Sequence, residues 1–314
     1  MSGTRLRLVA IAVAMALLSA CREQAKESVP TEPAKPEPVV SVELPVRPLR
    51  FGRPPHLTAA TARQEYTPLA DFLGRAIDHE IVVVVPGSYD QVVDMLVRGE
   101  LDMALLTPFT YVKAKRRLPS LVLIASMVAE GAVKYRGYIV TKANGEIHSV
   151  DALKGKRFAF VDKGSASGYL FPHVALLEAG IDPRRDFAEV RFAGGHPKVV
   201  QWVLDGTVDA GAISSTTFRH LRGEALFSRL EIIAKTAWIP FDAVVLHPSV
   251  PEPVARKLQT TLMGLNSQSP EGRAVLTGIT TTNGFIAGND ATYDPVRRVA
   301  AQLESKGTGA FDRK

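Results

Sequence analysis

Short β-branched and apolar runs recur along the chain at Ile81 to Val85, Asp102 to Leu106, Leu121 to Ala125, Tyr138 to Thr141, Phe158 to Val161 and Val208 to Ile213. Their length and composition predict strands. Between them, apolar side chains return every three or four positions, as at Thr67 to Ile77, Tyr89 to Arg98, Ser167 to Ala179 and Pro197 to Leu204. These stretches predict helices. Strands that alternate with helices imply an α/β fold with mainly parallel sheets.

The pattern repeats once. At an offset of 107 residues, Gln91-Val92-Val93-Asp94-Met95-Leu96-Val97-Arg98-Gly99-Glu100-Leu101-Asp102 lies on Lys198-Val199-Val200-Gln201-Trp202-Val203-Leu204-Asp205-Gly206-Thr207-Val208-Asp209. Each copy is a helix stopped at a glycine, a tight turn to Asp, and a strand running into a hydroxyl-bearing loop, at Thr107 or at Ser214 and Ser215. The repeat predicts two similar lobes, unless it reflects only the common grammar of helix, turn and strand. It also sorts residues by role. Asp102 and Asp209 start their strands, whereas ligands of open α/β sheets bind beyond the carboxyl ends, so both read as structural. Tyr89 and His196 occupy equivalent helix N-termini, where backbone N–H groups favour anions.

Composition adds a processing reading at the N-terminus. Arg5 and Arg7 precede an apolar run from Leu8 to Leu18 that is short for a permanent membrane span. Leu18-Ser19-Ala20-Cys21 is a lipobox pattern placed at the chain's sole cysteine. Residues 1–20 thus read as an export signal and Cys21 as a lipidated N-terminus, with an ordinary signal peptide and a chance cysteine as the alternative. Residues 21–46, rich in Pro, Glu, Lys and Ala, read as a disordered tether. The location that follows is the periplasm or cell surface, with the membrane reached through lipid alone. The remaining length suits two lobes.

Charge changes little. The formal net charge is +6, two units of it from Arg5 and Arg7, and this mild excess fits an anionic ligand. The run Lys113, Lys115, Arg116, Arg117 reads as a solvated helix face, and no nucleic-acid partner is predicted.

The candidate chemistry gathers at Gly164-Ser165-Ala166-Ser167-Gly168, between a strand and a helix. Two hydroxyls, unpaired N–H groups and glycines that permit close backbone approach suit an oxyanion; a serine N-cap is the plain alternative. The same residues satisfy G-x-S-x-G, with Ser167 as a hydrolase nucleophile. Against that reading, Asp162 and Lys163 separate the strand from the first glycine, and a Ser, acid, His order would need Asp182 or Asp186 before His196. The seven histidines form no metal-binding spacing, and no phosphate-binding P-loop or dinucleotide fingerprint occurs. Neither metal nor cofactor is predicted.

From Tyr66-Thr67-Pro68-Leu69 to about Pro251 the chain resembles the periplasmic substrate-binding proteins of phosphonate, phosphite and phosphate ABC transporters, the PhnD type. The resemblance rests on Gly164-Ser165-Ala166-Ser167-Gly168-Tyr169 with Pro172, on Phe192-Ala193-Gly194-Gly195-His196 and on Ile239-Pro240-Phe241-Asp242. Lesser matches are Asp102-Met103-Ala104 with Thr107-Pro108, Tyr135, and Leu153-Lys154-Gly155-Lys156-Arg157. It implies a type II binding-protein fold, two α/β lobes joined by crossing segments near Tyr135 to Thr141 and Ala237 to Val245. Lobe I would comprise residues 47–135 and 243–314, and lobe II residues 136–242.

The ligand contacts the resemblance implies are Tyr89, Tyr135, Ser165, Ala166 through its backbone, Ser167, His196 and Asp242, with Thr107 a further candidate from the hydroxyl-bearing loop. An ionised Asp242 only accepts, so it would select a ligand with an O–H or an amine. Relatives that bind aminophosphonates carry an additional acid where this chain has Thr216, within Ser214-Ser215-Thr216-Thr217-Phe218. The implied protein is therefore a monomeric binding protein, not an enzyme, that delivers phosphite, phosphate or a small alkylphosphonate to an ABC permease. A sensory receptor with the same site and a serine hydrolase are the alternatives.

Overall fold

The computed structural model describes residues 44–55, 59–221, 226–279 and 281–307. The export signal, Cys21 and all but the last residues of the tether lie outside the described residues. In chain order the first unit is β1 (Leu49–Gly52), α1 (Ala59–Ile77), β2 (Ile81–Val84), α2 (Tyr89–Val97), β3 (Met103–Leu106), α3 (Pro108–Arg117) and β4 (Val122–Ala129). The chain then forms β5 (Lys134–Lys142), β6 (Arg157–Phe160), α4 (Phe171–Glu178), β7 (Glu189–Phe192), α5 (His196–Asp205), β8 (Ala210–Ser214), α6 (Ser215–His220) and β9 (Leu230–Pro240). It returns through β10 (Ala243–Leu246), α7 (Glu252–Gly264), α8 (Pro270–Leu276), β11 (Thr282–Ala287) and α9 (Asp294–Ser305).

Two sheets result, ordered β11-β4-β10-β3-β1-β2 and β7-β6-β8-β5-β9. They are mixed, not mainly parallel: β1 is parallel to β2 and β3, and β6 to β7 and β8, but the pairings of β4, β5, β9, β10 and β11 are antiparallel. The antiparallel strands enter where the chain passes between sheets, since such a passage delivers a strand without a covering helix. The first passage is residues 130–133, between β4 and β5, so Tyr135 to Thr141 lies inside β5 and not in a linker. The second is Phe241–Asp242, within the expected segment.

The offset of 107 residues governs far more than one helix and strand. Phe51 pairs with Met103 and Phe158 with Ala210; Arg50 pairs with Val82 and Arg157 with Glu189. Thr107 caps α3 by accepting from Thr110 N, and Ser214 caps α6 by accepting from Thr217 N. The two aspartates are structural in the same way. Asp102 accepts from Arg50 N and holds Arg47, and Asp209 accepts from Arg157 N and holds the Arg157 side chain.

Helix α1 begins eight residues before the predicted Thr67. Pro68 lies inside it, where a proline costs about 3 kcal/mol. Ala62 and Tyr66 extend the buried face of Leu69, Ala70 and Leu73, and burying that stripe outweighs the interruption. On the same face of the first sheet α7 contributes Leu258 and Leu262. The basic stretch of α3 is not a plain solvated face: Lys113 is buried on Asp90 at 2.6 Å, Arg117 pairs with Asp94 and Arg116 with Glu304.

Candidate functional site

The carboxyl ends of β1 and β3 in one unit, and of β6 and β8 in the other, open on a cleft of about 820 Å³. Its lining brings together every ligand residue predicted from the sequence: Tyr89, Thr107, Tyr135, Ser165, Ala166, Ser167, His196 and Asp242.

The turn after β6 is more satisfied than its sequence suggests. Gly164 N donates to Asp162 Oδ1 (2.7 Å), Ser165 N to Asp162 O (2.9 Å), and Gly168 N to Ser165 Oγ (3.0 Å). Leu170 N reaches back five residues to Ser165 O, so α4 opens with a turn of π-helix over Ala166–Leu170 instead of starting at Ser167. Ala166 and Ser167 occupy the first positions of that turn, where no carbonyl of their own helix reaches the N–H groups. The Ser165 and Ser167 hydroxyls remain able to donate.

The glycines answer to protein packing. A Cβ on Gly164 would stand 2.4 Å from Tyr89 Cβ, and one on Gly168 would stand 2.4 Å from Val161 Cγ2. The space they keep open is filled by side chains, not reserved for a ligand.

Tyr89 is the first residue of α2, after the Ser88 cap, and His196 the first of α5, after Gly195. His196 Nδ1 accepts from Ser214 N at 3.0 Å, which puts the proton of a neutral imidazole on Nε2 and makes that atom a donor. The same bond leaves Nδ1 no role as the acid-oriented base of a hydrolase. Burial raises the Tyr135 and Tyr89 hydroxyls above the ordinary tyrosine value, so both stay protonated donors. Tyr135 stacks on Phe241 at 4.8 Å between ring centres. Thr107 spends its hydroxyl on Gly164 O at 3.1 Å, a bond between the two units.

Asp242 is not alone. Arg53, at the exit of β1, meets its Oδ2 through Nη1 at 2.8 Å, donates to Leu105 O, and lies over the Tyr66 ring at 5.1 Å. Both partners are 7% exposed. Sequence reasoning missed Arg53, although a charged residue directly after the apolar strand Leu49–Gly52, at an edge where ligands bind, was a usable signal. Thr216 lines the cleft, its hydroxyl 2.8 Å from Ser214 Oγ. Among the described residues no group of His, Cys, Asp and Glu could hold a metal, and no helix is long and apolar enough to cross a membrane.

The chain is similar to known proteins. The chain is 26% identical over 93% of its length, and 94% of the other, to the phosphate-import protein PhnD of Mycolicibacterium smegmatis. It is 21% identical over 81% of its length, and 89% of the other, to the probable ABC transporter phosphite binding protein PhnD1 of Prochlorococcus marinus. The structure of PhnD1 from Prochlorococcus marinus with methylphosphonate superposes with a TM-score of 0.74 at 20% identity, covering 82% of this chain and 98% of that one, which shows the type II binding-protein fold. The family model of phosphonate ABC-transporter periplasmic substrate-binding proteins matches residues 51–293. The chain belongs to that family: it is a substrate-binding component of an ABC transporter that works outside the cytoplasm, not an enzyme.

Proposed function

We propose that this protein captures a small phosphorus oxyanion, phosphite, phosphate or a small alkylphosphonate, and hands it to an ABC permease. The carrying observation is the convergence in one cleft of hydroxyl, imidazole and helix N-terminal donors from both sheets, at Tyr89, Tyr135, Ser165, Ser167 and His196. Four charge-assisted bonds at about 1.5 to 3 kcal/mol each total about 6 to 12 kcal/mol, a range that spans the roughly 8 kcal/mol of micromolar binding and at its upper end leaves room for lobe closure. Ala166 contributes its N–H, Asp242 an acceptor, and Thr107 a link between lobes that a closed form can use. With Thr216 in place of the additional acid that the resemblance attributes to aminophosphonate-binding relatives, a ligand amine loses one partner, so aminophosphonates are expected to be poorer ligands than phosphite, phosphate or a small alkylphosphonate.

In this reading residues 47–135 and 243–314 form lobe I and residues 136–242 lobe II, and ligand contacts from both favour closure. Residues 1–20 direct export, Cys21 carries lipid, and the stretch to residue 46 tethers a monomeric receptor to the membrane. The test is calorimetric titration of the purified chain with phosphate, phosphite and methylphosphonate. Micromolar or tighter binding of one of them is expected, and heats indistinguishable from dilution for all three would refute the proposal.

A further inference from the structure

The turn after β6 is held at one peptide from both sides of the cleft, and that peptide belongs to Gly164. Within its own unit, Gly164 N donates to Asp162 Oδ1 at 2.7 Å and Ser165 N to Asp162 O at 2.9 Å. Asp162 thus takes up the two N–H groups that lead into the candidate ligand donors. From the other unit, Thr107 Oγ meets Gly164 O at 3.1 Å. A carbonyl oxygen only accepts, so the hydrogen of that bond is Thr107's, and a threonine hydroxyl has no second one for a ligand. The Thr107 oxygen is engaged as well, since it accepts from Thr110 N in capping α3. Although Thr107 lines the cleft, its hydroxyl therefore acts on the turn and not on the ligand.

Packing fixes the same joint. Gly164 lies so close to the starts of α2 and α3 that a Cβ would stand 2.4 Å from Tyr89 Cβ and 3.2 Å from Thr110 Cγ2. Those two helices are braced against each other by the buried Lys113, which meets Asp90 at 2.6 Å, and the charges of both act on Asp162. A glycine peptide turns more freely than any other, and a turn of this one would redirect Ser165, Ala166 and Ser167. We propose that Asp162 and Thr107 are positioning residues for oxyanion capture: they fix the Gly164 peptide from opposite sides, so the donors of Ser165, Ala166 and Ser167 reach their binding geometry only while the two units meet at this bond. This rests on the oxyanion reading above and deepens it. Closure then completes the turn that holds the ligand as well as enclosing it, so affinity and lobe contact raise each other.

The experiment is calorimetry of the full chain with inorganic phosphate, phosphite and methylphosphonate, repeated for Thr107→Val, Asp162→Ala and the double variant. Each single variant is expected to weaken the tightest-bound of these probes about tenfold. Because both act through one peptide, the double variant is expected to lose about tenfold to thirtyfold, clearly less than the roughly hundredfold product of independent effects. Thr107→Ser and Asp162→Asn keep a donor and an acceptor for Gly164, so each is expected to recover affinity to within about threefold of wild type. These two also keep the proposal testable should a truncated variant fail to fold. Losses that multiply in the double variant, as a direct contact between Thr107 and the ligand would give, overturn the proposal while the oxyanion reading stands. So do truncated variants that bind as tightly as wild type, or a loss of about tenfold in either conservative variant. Failure of every probe to bind the wild type defeats both.

Discussion

Asp242→Asn isolates the guanidinium of Arg53 in a place built for an ion pair. The two side chains are 8% and 10% exposed and meet at 2.8 Å. With charge centres about 4 Å apart and an effective dielectric constant of about 20, their attraction is about 4 kcal/mol. Desolvation cancels much of that in the intact pair. The variant, however, keeps the desolvation of Arg53 and loses the attraction, a situation that costs about 3 to 5 kcal/mol. Asn still offers an amide oxygen to Nη1, a bond worth about 1 kcal/mol, so the expected loss is about 2 to 4 kcal/mol. Urea unfolding in buffer free of phosphate and sulfate measures it, because a bound anion would restore stability by mass action. Arg53→Met strands the carboxylate and is expected to cost a similar amount, whereas the double variant is expected to be more stable than the sum of its parts by about 1 to 3 kcal/mol. Single variants each within about 1 kcal/mol of wild type, with an additive double, would refute the reasoning.

Gly164→Ala places a methyl group against Tyr89 Cβ, so a loss of about 1 to 3 kcal/mol in stability is expected by thermal or urea melting, together with weaker oxyanion binding. Ser167→Ala and His196→Ala are each expected to weaken binding about tenfold to a hundredfold by calorimetry; an unchanged affinity would remove that side chain from the site. Burial holds His173 down at about 4, and both its ring nitrogens lack partners between Phe160 and Tyr169. Its unfolded value near 6.5 means that the unfolded chain binds the extra proton first, so this stability is full above about pH 6.5 and is lost as pH falls toward 4. His173→Phe is expected to remove about 2 to 3 kcal/mol of the loss seen between pH 7 and 4.5 in urea melts. Cys21→Ser is expected to abolish incorporation of labelled fatty acid and to release the protein from the membrane fraction; retained label would refute lipidation at Cys21.

What could be read from the chain depended on how far apart the cooperating residues lie. The helix grammar around Gly99 and Gly206 is local, so an offset of 107 residues was visible in sequence, and the structure extends it to strand register and helix caps. The donors Ser165, Ser167 and His196 stand at helix starts, where local rules point to anions. The antiparallel strands were not legible, because β9 and β10 acquire their partners only when the chain crosses between sheets, and nothing in Leu230 to Leu246 states which strand waits there.

Arg53 failed for the same physical reason. Its partner is 189 residues away, and a single arginine after a strand resembles ordinary surface until the return of β10 places Asp242 beside it. The consequence reaches function. A repeat can supply two matching sets of donors, but it cannot supply a charge pair, since the position 107 residues beyond Arg53 is Phe160, an apolar core residue. The charge pair of Arg53 and Asp242 is therefore a part of the cleft wall that the repeat could not announce.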